Sequence, residues 1–436
     1  MGIARSGQLT EPRQAGIAAL RWVTAGGVAA DGGMTWPHTS ATGAPLADDL
    51  YYGTAGVLMA LAECRLCGIT EFDECGRAAA ARLRFLAAAD PSSMPMPAGP
   101  DGRPDDLNLG LYTGLTGCAA ALRGWASVSG DRQSAAAAAA LTGAVAELAA
   151  AGRPVSVWRD VLSGEAGIML VLIGADDIGM RPGVSAIADR LAGHAADAGG
   201  LPDWHASADE TVVQPNFSHG AAGIGFALAA AGDFLGRADL VDVAERAGRR
   251  LVALGSRQDG TLAVPHSIPL ADPSAPVSYG WCHGPVGTLR LFELLDRLRP
   301  AAGWSEQARA ARRAVRFSGL PARRYPGFWD NLGQCCGTAG VGELALDTYR
   351  QTGDPRWLEW AGLLAADVLD RRIEDAAGIR WSNTEHRQDP PELPPYLGWM
   401  HGAAGIAAWL LRLARVRRQG PAARKIRWPD GLHLWE

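Results

Sequence analysis

The chain alternates between two kinds of hydrophobic segment, and both predict α-helices. In the first kind, apolar and small residues occupy nearly every position, as they do in residues 224–231, which is typical of a helix that is buried on all sides. In the second kind, apolar residues recur at helical spacing with charged residues between them. Residues 239–254 are an example, with an apolar face made of Leu240, Val243, Ala244, Ala247 and Leu251. The pattern predicts pairs of helices, one inner and one outer.

A G-x-x-G turn precedes each segment of the first kind. The seven turns begin at Gly53, Gly114, Gly164, Gly220, Gly284, Gly337 and Gly402. Successive turns begin 50 to 65 residues apart, and a regular period of this length indicates a repeat architecture. We expect the glycines to be required because such a turn needs either a positive φ or a close approach of backbone segments.

Seven helix pairs cannot each bury their apolar faces alone, so they must pack against one another. An open solenoid would require polar capping repeats, but the last inner segment, residues 406–413, is as apolar as the others. The sequence therefore predicts an all-α fold, an α/α toroid of seven inner and seven outer helices, in a single domain spanning residues 1–436. Strand signals are weak, and residues 212–214 and 262–264 predict at most a small hairpin or a loop.

Composition narrows the possible functions. Hydrophobic residues make up 48% of the chain and charged residues 20%, as in globular proteins with a large core. The net charge of −5 provides no basic surface for nucleic acid. Residues 1–10 lack the apolar core of a signal peptide, and no apolar stretch is long enough to span a membrane. We therefore predict a cytoplasmic protein.

Three of the seven cysteines stand one or two residues before glycine turns, as Trp281-Cys282-His283-Gly284 and Gln334-Cys335-Cys336-Gly337. If the two turns are neighbours, three thiolates can share one metal ion and leave one coordination position open, which is the arrangement of a catalytic zinc site. The alternative is that these cysteines are simply buried. Cys64 and Cys67 lie in a helix-like run, where we expect buried thiols rather than a redox pair.

Taken together, these motifs resemble those of the lanthionine synthetase C-like (LanC-like) cyclases. The resemblance rests on the seven turns, on Ser218-His219-Gly220 and on the two cysteine motifs, and it extends from about Asp48 to Leu413. It implies a zinc-dependent lanthionine synthetase with an α/α toroid fold. Such an enzyme adds cysteine thiols to dehydroalanine or dehydrobutyrine in a precursor peptide and so forms (methyl)lanthionine thioether rings.

The resemblance also assigns the metal ligands. Cys282 matches the first zinc ligand of the family and Cys335 matches the second. The third ligand is a histidine in most members, but Cys336 stands at that position here. Thiolate is an accepted zinc ligand, so the resemblance still implies a Zn²⁺ cofactor. Three thiolates make the metal a weaker Lewis acid and a bound substrate thiolate more nucleophilic.

Two further residues match positions in the cavity of the family. His219 falls where the family has a histidine that handles protons, and Asp160 matches an aspartate in the same cavity. A carboxylate at Asp160 could instead cap a helix. The family often has an arginine where this chain has Ser278, and Arg159 or Arg324 are the candidates to replace it.

Other polar residues near the turns suggest weaker roles. His283 and His401 also precede glycine turns, and we expect them to pack near the site rather than to bind the metal. Residues 385–387 belong to one of four polar loops that arrive just before turns, and they could line the cavity. The four loops are residues 90–108, 206–217, 265–279 and 384–397.

Alternative functions remain open at the level of sequence. A LanC-like protein could add a small thiol such as glutathione to dehydroamino acids, or it could be a binding module with a structural zinc ion. A carbohydrate-active α/α barrel would need paired carboxylates, and Asp160 has no evident partner in the sequence. A cyclase would need a dehydrated precursor peptide as its substrate. We expect a separate dehydratase to supply it, because the seven repeats occupy the chain and no dehydratase region is evident.

Overall fold

The computed structural model describes residues 11–93, 108–206, 212–269, 278–385 and 388–431. This part of the chain contains fourteen α-helices, which alternate between an outer and an inner layer. The outer helices are α1 (Pro12–Ala25), α3 (Asp73–Ala87), α5 (Arg132–Ala150), α7 (Arg181–Gly193), α9 (Ala238–Leu254), α11 (Trp304–Arg316) and α13 (Pro355–Asp370). The inner helices are α2 (Thr54–Leu66), α4 (Leu115–Ser129), α6 (Glu165–Ile173), α8 (Ala221–Leu235), α10 (Pro285–Leu298), α12 (Thr338–Thr352) and α14 (Ala403–Gln419).

The inner helices form a closed ring. Each one packs against the next in chain order, and the last, α14, packs against the first, α2. The outer helix α1 closes the second layer by packing against α14. This arrangement confirms the predicted all-α fold and the α/α toroid with seven inner and seven outer helices.

Burial follows the two hydrophobic patterns. Every residue of α6 is buried, and so are residues 221–232 of α8, which explains why these segments are apolar on all sides. On the outer helix α9, the predicted face is buried at every position except Val243, which is partly exposed. The helices therefore owe their stability mainly to packing of these faces in the two layers.

Short antiparallel strands follow three of the outer helices. They are β1 (Val28–Ala30), β2 (Gly33–Pro37), β3 (Leu46–Ala47), β4 (Ala196–Asp197), β5 (Pro202–Asp203), β6 (Ile373–Asp375) and β7 (Gly378–Arg380). They pair in the orders β1-β2-β3, β4-β5 and β6-β7, with Val28 opposite Thr35 in the first pair. Residues 212–214 and 262–264 form only isolated bridges, Val213 to Ile268 and Ala263 to Ser256.

The sequence pattern missed these hairpins, and each is fixed by a tryptophan. The indole nitrogens of Trp36, Trp204 and Trp381 each donate to a carbonyl in the last turn of the preceding outer helix, at 2.8 Å. All three tryptophans are buried. Burial of a large ring whose N–H is satisfied stabilises a hairpin that would be marginal alone.

The first glycine of each turn is the N-cap of an inner helix. Its φ lies between −100° and −150° in all seven turns, so of the two reasons expected for these glycines, a positive φ does not apply. Close backbone approach is the reason for the glycines. A Cβ at Gly284 would meet the backbone of residues 278–280, and a Cβ at Gly287 would collide with the carbonyl oxygen of Trp281.

The seven turns are tied together by backbone hydrogen bonds, which we call the turn ring. Each turn donates an N–H to a carbonyl of the next turn, and the seventh turn donates to the first. The bonds, of 2.8–3.2 Å, run from Tyr51 to Tyr112, from Tyr112 to Leu162, from Val161 to Ser218, from Ser218 to Cys282, from Cys282 to Cys335, from Cys335 to Met400 and from Met400 to Tyr51. The turn ring holds one end of the toroid in a fixed arrangement.

The segment after α14 folds back into the centre of the toroid. Trp428 stacks on Trp399 with ring centroids 4.8 Å apart. The carboxylate of Asp430 accepts hydrogen bonds from Tyr112 Oη and Trp281 Nε1, both at 2.9 Å, and pairs with Arg290 at 3.0 Å. A cavity of about 100 Å³ remains beside these residues. Among the described residues, none of the helices has both the length and the apolar character that crossing a membrane requires.

The close approach at the turns can be tested with a matched pair of glycine substitutions. In Gly117→Ala, the new Cβ would collide with the carbonyl oxygen of Leu111, so we expect a loss of about 1–3 kcal/mol in the free energy of unfolding. Gly143 lies within α5 with no atom near the position of a Cβ, so Gly143→Ala should gain about 0.5–1 kcal/mol. Thermal unfolding followed by far-UV circular dichroism measures both changes. A Gly117→Ala protein as stable as the parent would contradict the steric explanation.

Candidate metal centre

The functional side chains come from two positions of the repeat. The residues directly before the seven turns, which we call mouth residues, are all half-buried. They are Tyr52, Thr113, Ser163, His219, His283, Cys336 and His401. The residues one position earlier, which we call ring residues, are buried in six of the seven repeats. They are Tyr51, Tyr112, Leu162, Ser218, Cys282, Cys335 and Met400. Because the turn ring brings these positions together, their side chains meet at one end of the toroid.

The three predicted cysteine ligands lie together. The Sγ atoms of Cys282, Cys335 and Cys336 are all within 4.8 Å of one another. The two turns are held side by side because the carbonyl of Cys335 accepts from the N–H groups of Trp281, at 2.8 Å, and Cys282, at 3.2 Å. Thiolates bound to one tetrahedral zinc ion are about 3.8 Å apart, given Zn–S bonds of about 2.3 Å. The three sulfurs therefore fit a single metal ion after a small adjustment.

The electrostatics of the cluster also suit a cation. Hydrogen bonds from Cys282 and Cys335 lower the pKa of the Cys336 thiol well below its usual value. The same contacts, first with Cys335 and then with Cys336, raise the pKa of Cys282. The Cys336 thiol therefore ionises more readily than that of Cys282, and no disulfide forms, since all seven cysteines are free thiols. A cation would allow all three thiols to ionise.

Two uncharged side chains donate hydrogen bonds to the sulfurs, and the sequence analysis did not identify either. Tyr51 Oη lies 3.2 Å from Cys335 Sγ and 2.8 Å from His401 Nε2. Asn331 Nδ2 lies 3.6 Å from Cys336 Sγ. Burial, and then the nearby Cys335, raise the pKa of Tyr51, so its hydroxyl keeps the proton that it donates. Its position in the sequence could have identified Tyr51, because it is the ring residue of the first repeat and so corresponds to Cys282 and Cys335.

His219 and Asp160 form a hydrogen-bonded pair. His219 Nδ1 lies 2.7 Å from Asp160 Oδ2, and Asp160 is buried. The other carboxylate oxygen accepts the Ser163 N–H at 2.9 Å, which orders the turn before α6, whereas the N-cap of that helix is Gly164. Because an ionised carboxylate only accepts, Nδ1 of His219 carries a proton in this pair, and Nε2 is the ring nitrogen that Asp160 does not contact.

The remaining mouth histidines do not join the cysteine cluster. The ring of His283 stacks on His266 at 3.8 Å and lies 5.6 Å from His219. Burial, together with the two neighbouring histidines, lowers the pKa of His283 to about 3, so this imidazole is neutral at physiological pH. His401 is hydrogen-bonded to Tyr51, which in turn contacts Cys335.

The two residues considered as replacements for the family arginine donate hydrogen bonds to backbone carbonyls. Arg159 donates to the carbonyl of His205 at 3.3 Å, and Arg324 donates to that of Phe317 at 3.5 Å. Ser278 is half-buried. Within the described residues, no arginine donates to any of the three clustered sulfurs. Of residues 385–387, only Glu385 lies in the described part of the chain.

An aromatic groove is lined by one of the mouth residues, Tyr52. The ring of Tyr52 stacks on His38 at 4.7 Å and lies 5.9 Å from Tyr396 and 6.2 Å from His401. The groove has a volume of about 480 Å³, and its other wall is the loop of residues 39–45. No aspartate, glutamate, lysine or arginine is among its described lining residues.

Comparisons with known proteins agree on the fold. The sequence profile of the lanthionine synthetase C-like protein family matches residues 44–419. The structure is similar to that of nisin cyclase, with a TM-score of 0.57 and 14% identity over 84% of this chain and 88% of that one. It is also similar to the Lin0763 protein from Listeria innocua, with a TM-score of 0.50 and 10% identity over 94% and 98% of the two chains. At these identities the structural similarities establish the fold alone. No curated protein sequence matches the chain.

The cysteine cluster predicts one tightly held zinc ion per chain. Protein purified without chelators should contain one equivalent of zinc, measured by plasma mass spectrometry, because three thiolates converge on one point. Cys335→Ala and Cys336→Ala should each lose most of it. Cys75→Ala is the matched control, since Cys75 is half-buried and lies outside the cluster. Full zinc retention in both cluster variants would contradict a three-thiolate site.

Proposed function

Because the chain belongs to the lanthionine synthetase C-like family, we propose that it is a zinc-dependent lanthipeptide cyclase. In this proposal it adds cysteine thiols to dehydroalanine or dehydrobutyrine in a precursor peptide and forms (methyl)lanthionine thioether rings. The observation that carries the proposal is the convergence of three cysteine sulfurs, within 4.8 Å of one another, in the mouth of the toroid. Cys282, Cys335 and Cys336 are the proposed ligands of Zn²⁺.

The metal would supply the activated nucleophile. A bound zinc ion would lower the pKa of a coordinated substrate thiol, which would then lose its proton to water and supply a thiolate that is otherwise scarce at neutral pH. Three protein ligands leave the fourth position for that thiol. The turn ring fixes Cys282 and Cys335 before any ligand arrives, because their backbone groups are already hydrogen-bonded to neighbouring turns, and Cys336 follows Cys335 directly in the chain.

His219 is the proposed proton donor. Addition of the thiolate to the β-carbon moves the π electrons of the double bond to the α-carbon, which must then accept a proton. Imidazole suits this task because it exchanges protons near neutral pH. Asp160 holds Nδ1 of His219 at 2.7 Å, which orients the ring and stabilises its positive charge before the proton is delivered from Nε2.

The aromatic groove supports a peptide substrate. Its tyrosines and small residues offer apolar contact, and none of its described lining residues is an aspartate, glutamate, lysine or arginine. The groove therefore suits an uncharged peptide segment better than glutathione, because the carboxylates of glutathione would lack cationic partners there. The substrate must already be dehydrated, and we propose that a separate dehydratase supplies it. We place the reaction in the cytoplasm, where the thiols of protein and substrate stay reduced.

The assignment of His219 is tested by His219→Asn. Asparagine can still hydrogen-bond to Asp160 but cannot carry a proton to carbon, so we expect ring closure to slow by about 10²–10⁴-fold with the zinc content unchanged. The measurement is a single-turnover assay on a dehydrated, cysteine-containing peptide. Ring closure leaves the peptide mass unchanged, so remaining thiols are counted by alkylation and mass spectrometry. Parent-like rates in the variant would remove His219 from the mechanism.

The third cysteine generates a separate prediction. Cys336→His replaces a thiolate with a neutral imidazole and makes the zinc site one unit less negative. A less negative site holds the substrate thiolate more firmly and makes it a poorer nucleophile. We expect the variant to bind zinc but to close rings more slowly or on fewer peptides, measured with both proteins fully loaded with zinc. Equal rates and equal substrate range would show that Cys336 is an exchangeable ligand.

A further inference from the structure

The proposed metal centre has an excess of negative charge. The charges of three thiolates and one Zn²⁺ ion sum to −1, and a bound substrate thiolate would make the net charge −2. Two of the three cysteines are buried. Charge is costly to bury unless hydrogen bonds or opposite charges stabilise it. No described arginine donates to the sulfurs, so the stabilisation must come from the uncharged donors that contact them.

Tyr51 is the donor with the better geometry. Its hydroxyl lies 3.2 Å from Cys335 Sγ, and it also lies 2.8 Å from Nε2 of His401. A tyrosine hydroxyl has one proton to donate and lone pairs that accept. A thiolate can only accept, so the proton of Tyr51 must point to Cys335. His401 must then donate its Nε2–H to the oxygen of Tyr51.

The surrounding structure holds this chain of hydrogen bonds in place. The N–H of Tyr51 donates to Tyr112 and its carbonyl accepts from Met400, so its backbone is part of the turn ring. Its side chain packs against Tyr52 at 4.5 Å and against His401 at 5.3 Å. The backbone of His401 is held in turn, since its carbonyl accepts from Asn383 Nδ2 at 2.9 Å. The hydroxyl is therefore directed at the sulfur before any ligand binds.

We infer that Tyr51 is a positioning residue that withdraws negative charge from the Cys335 thiolate, and that His401 orients the Tyr51 hydroxyl toward the sulfur. The inference rests on the proposed metal site and on the proposed function of that site. It adds to them a specific device for adjusting how strongly the cysteines donate to the metal. In a site with three thiolates, a hydrogen bond that reduces this donation lets the metal ionise the substrate thiol at lower pH.

Removal of the hydroxyl has effects of predictable sign. In Tyr51→Phe, Cys335 donates more charge to the metal, so the metal becomes a weaker Lewis acid. A substrate thiol then loses its proton less readily, and the acid limb of the pH–rate profile for ring closure should move to higher pH. The cysteine sulfurs themselves become more nucleophilic, and the zinc-loaded protein should react with iodoacetamide about tenfold faster, the effect expected when a hydrogen bond to a charged group is lost.

The experiment compares Tyr51→Phe with Tyr52→Phe, in full-length protein loaded with zinc or cobalt. Tyr52 is the neighbouring mouth residue, and within the described part of the chain its hydroxyl donates to none of the three sulfurs, so its variant controls for loss of a tyrosine hydroxyl at the mouth. The readouts that do not depend on ring closure are the rate of cysteine alkylation by iodoacetamide and the sulfur-to-cobalt charge-transfer band. We expect faster alkylation and a charge-transfer band at longer wavelength in Tyr51→Phe only.

His401 is tested by a pair of substitutions. His401→Gln keeps an N–H that can donate to Tyr51, whereas His401→Phe keeps a ring but has no donor. We expect alkylation of His401→Phe to be faster than that of the parent, though by less than in Tyr51→Phe. We expect His401→Gln to be alkylated at the parent rate. Equal rates in the two His401 variants would overturn the role of His401.

The outcomes separate this inference from the proposed function. Parent-like alkylation and an unshifted cobalt band in Tyr51→Phe would overturn the inference, whatever the ring-closure activity. If the parent protein closes no rings but Tyr51→Phe still shows faster alkylation and a shifted cobalt band, the inference is supported and the proposed cyclase activity is contradicted. Protein that binds neither zinc nor cobalt would overturn both.

Discussion

The turn ring is the constraint on which the rest of the structure depends. Seven turns donate and accept backbone hydrogen bonds in a closed cycle, so the turns present their N–H and carbonyl groups in nearly the same way, although the third turn donates from Val161 rather than from Leu162. That uniformity is possible because each turn carries two glycines, where a side chain would collide with neighbouring backbone. The same turns start the inner helices, so the hydrogen-bonded cycle and the closed helical layer specify each other.

A uniform scaffold concentrates chemistry at two repeat positions. The mouth and ring residues occupy corresponding positions in each repeat, and they differ mainly in side chain. The fifth and sixth repeats place cysteines there, the fourth places a histidine, and the first places a tyrosine. Asp160 is the exception, since it lies four residues before its turn and reaches His219 of the next repeat. Reactive groups far apart in sequence thus become neighbours without any loop having to bring them together.

The segment after α14 connects the interior of the toroid to the site. Asp430 accepts hydrogen bonds from Trp281, the residue before Cys282, and from Tyr112, a ring residue. Arg290 of α10 balances its charge. A buried carboxylate with these partners holds the two turns in place, because moving either turn would leave a charge or a hydrogen-bond donor unsatisfied.

The sequence by itself determined the helical pairs, the seven-fold repeat, the closed toroid and the cysteines that could share a metal, because burial patterns and glycine spacing are local properties of the chain. It could not determine that Tyr51 contacts Cys335, 284 residues away, that Asp160 pairs with His219, or that the segment after α14 fills the centre. It left open whether the turn glycines serve a positive φ or a close backbone approach, and it missed the hairpins fixed by tryptophans. These features depend on how the repeats are placed around the closed ring, and that placement follows from packing and the turn ring together rather than from any local pattern.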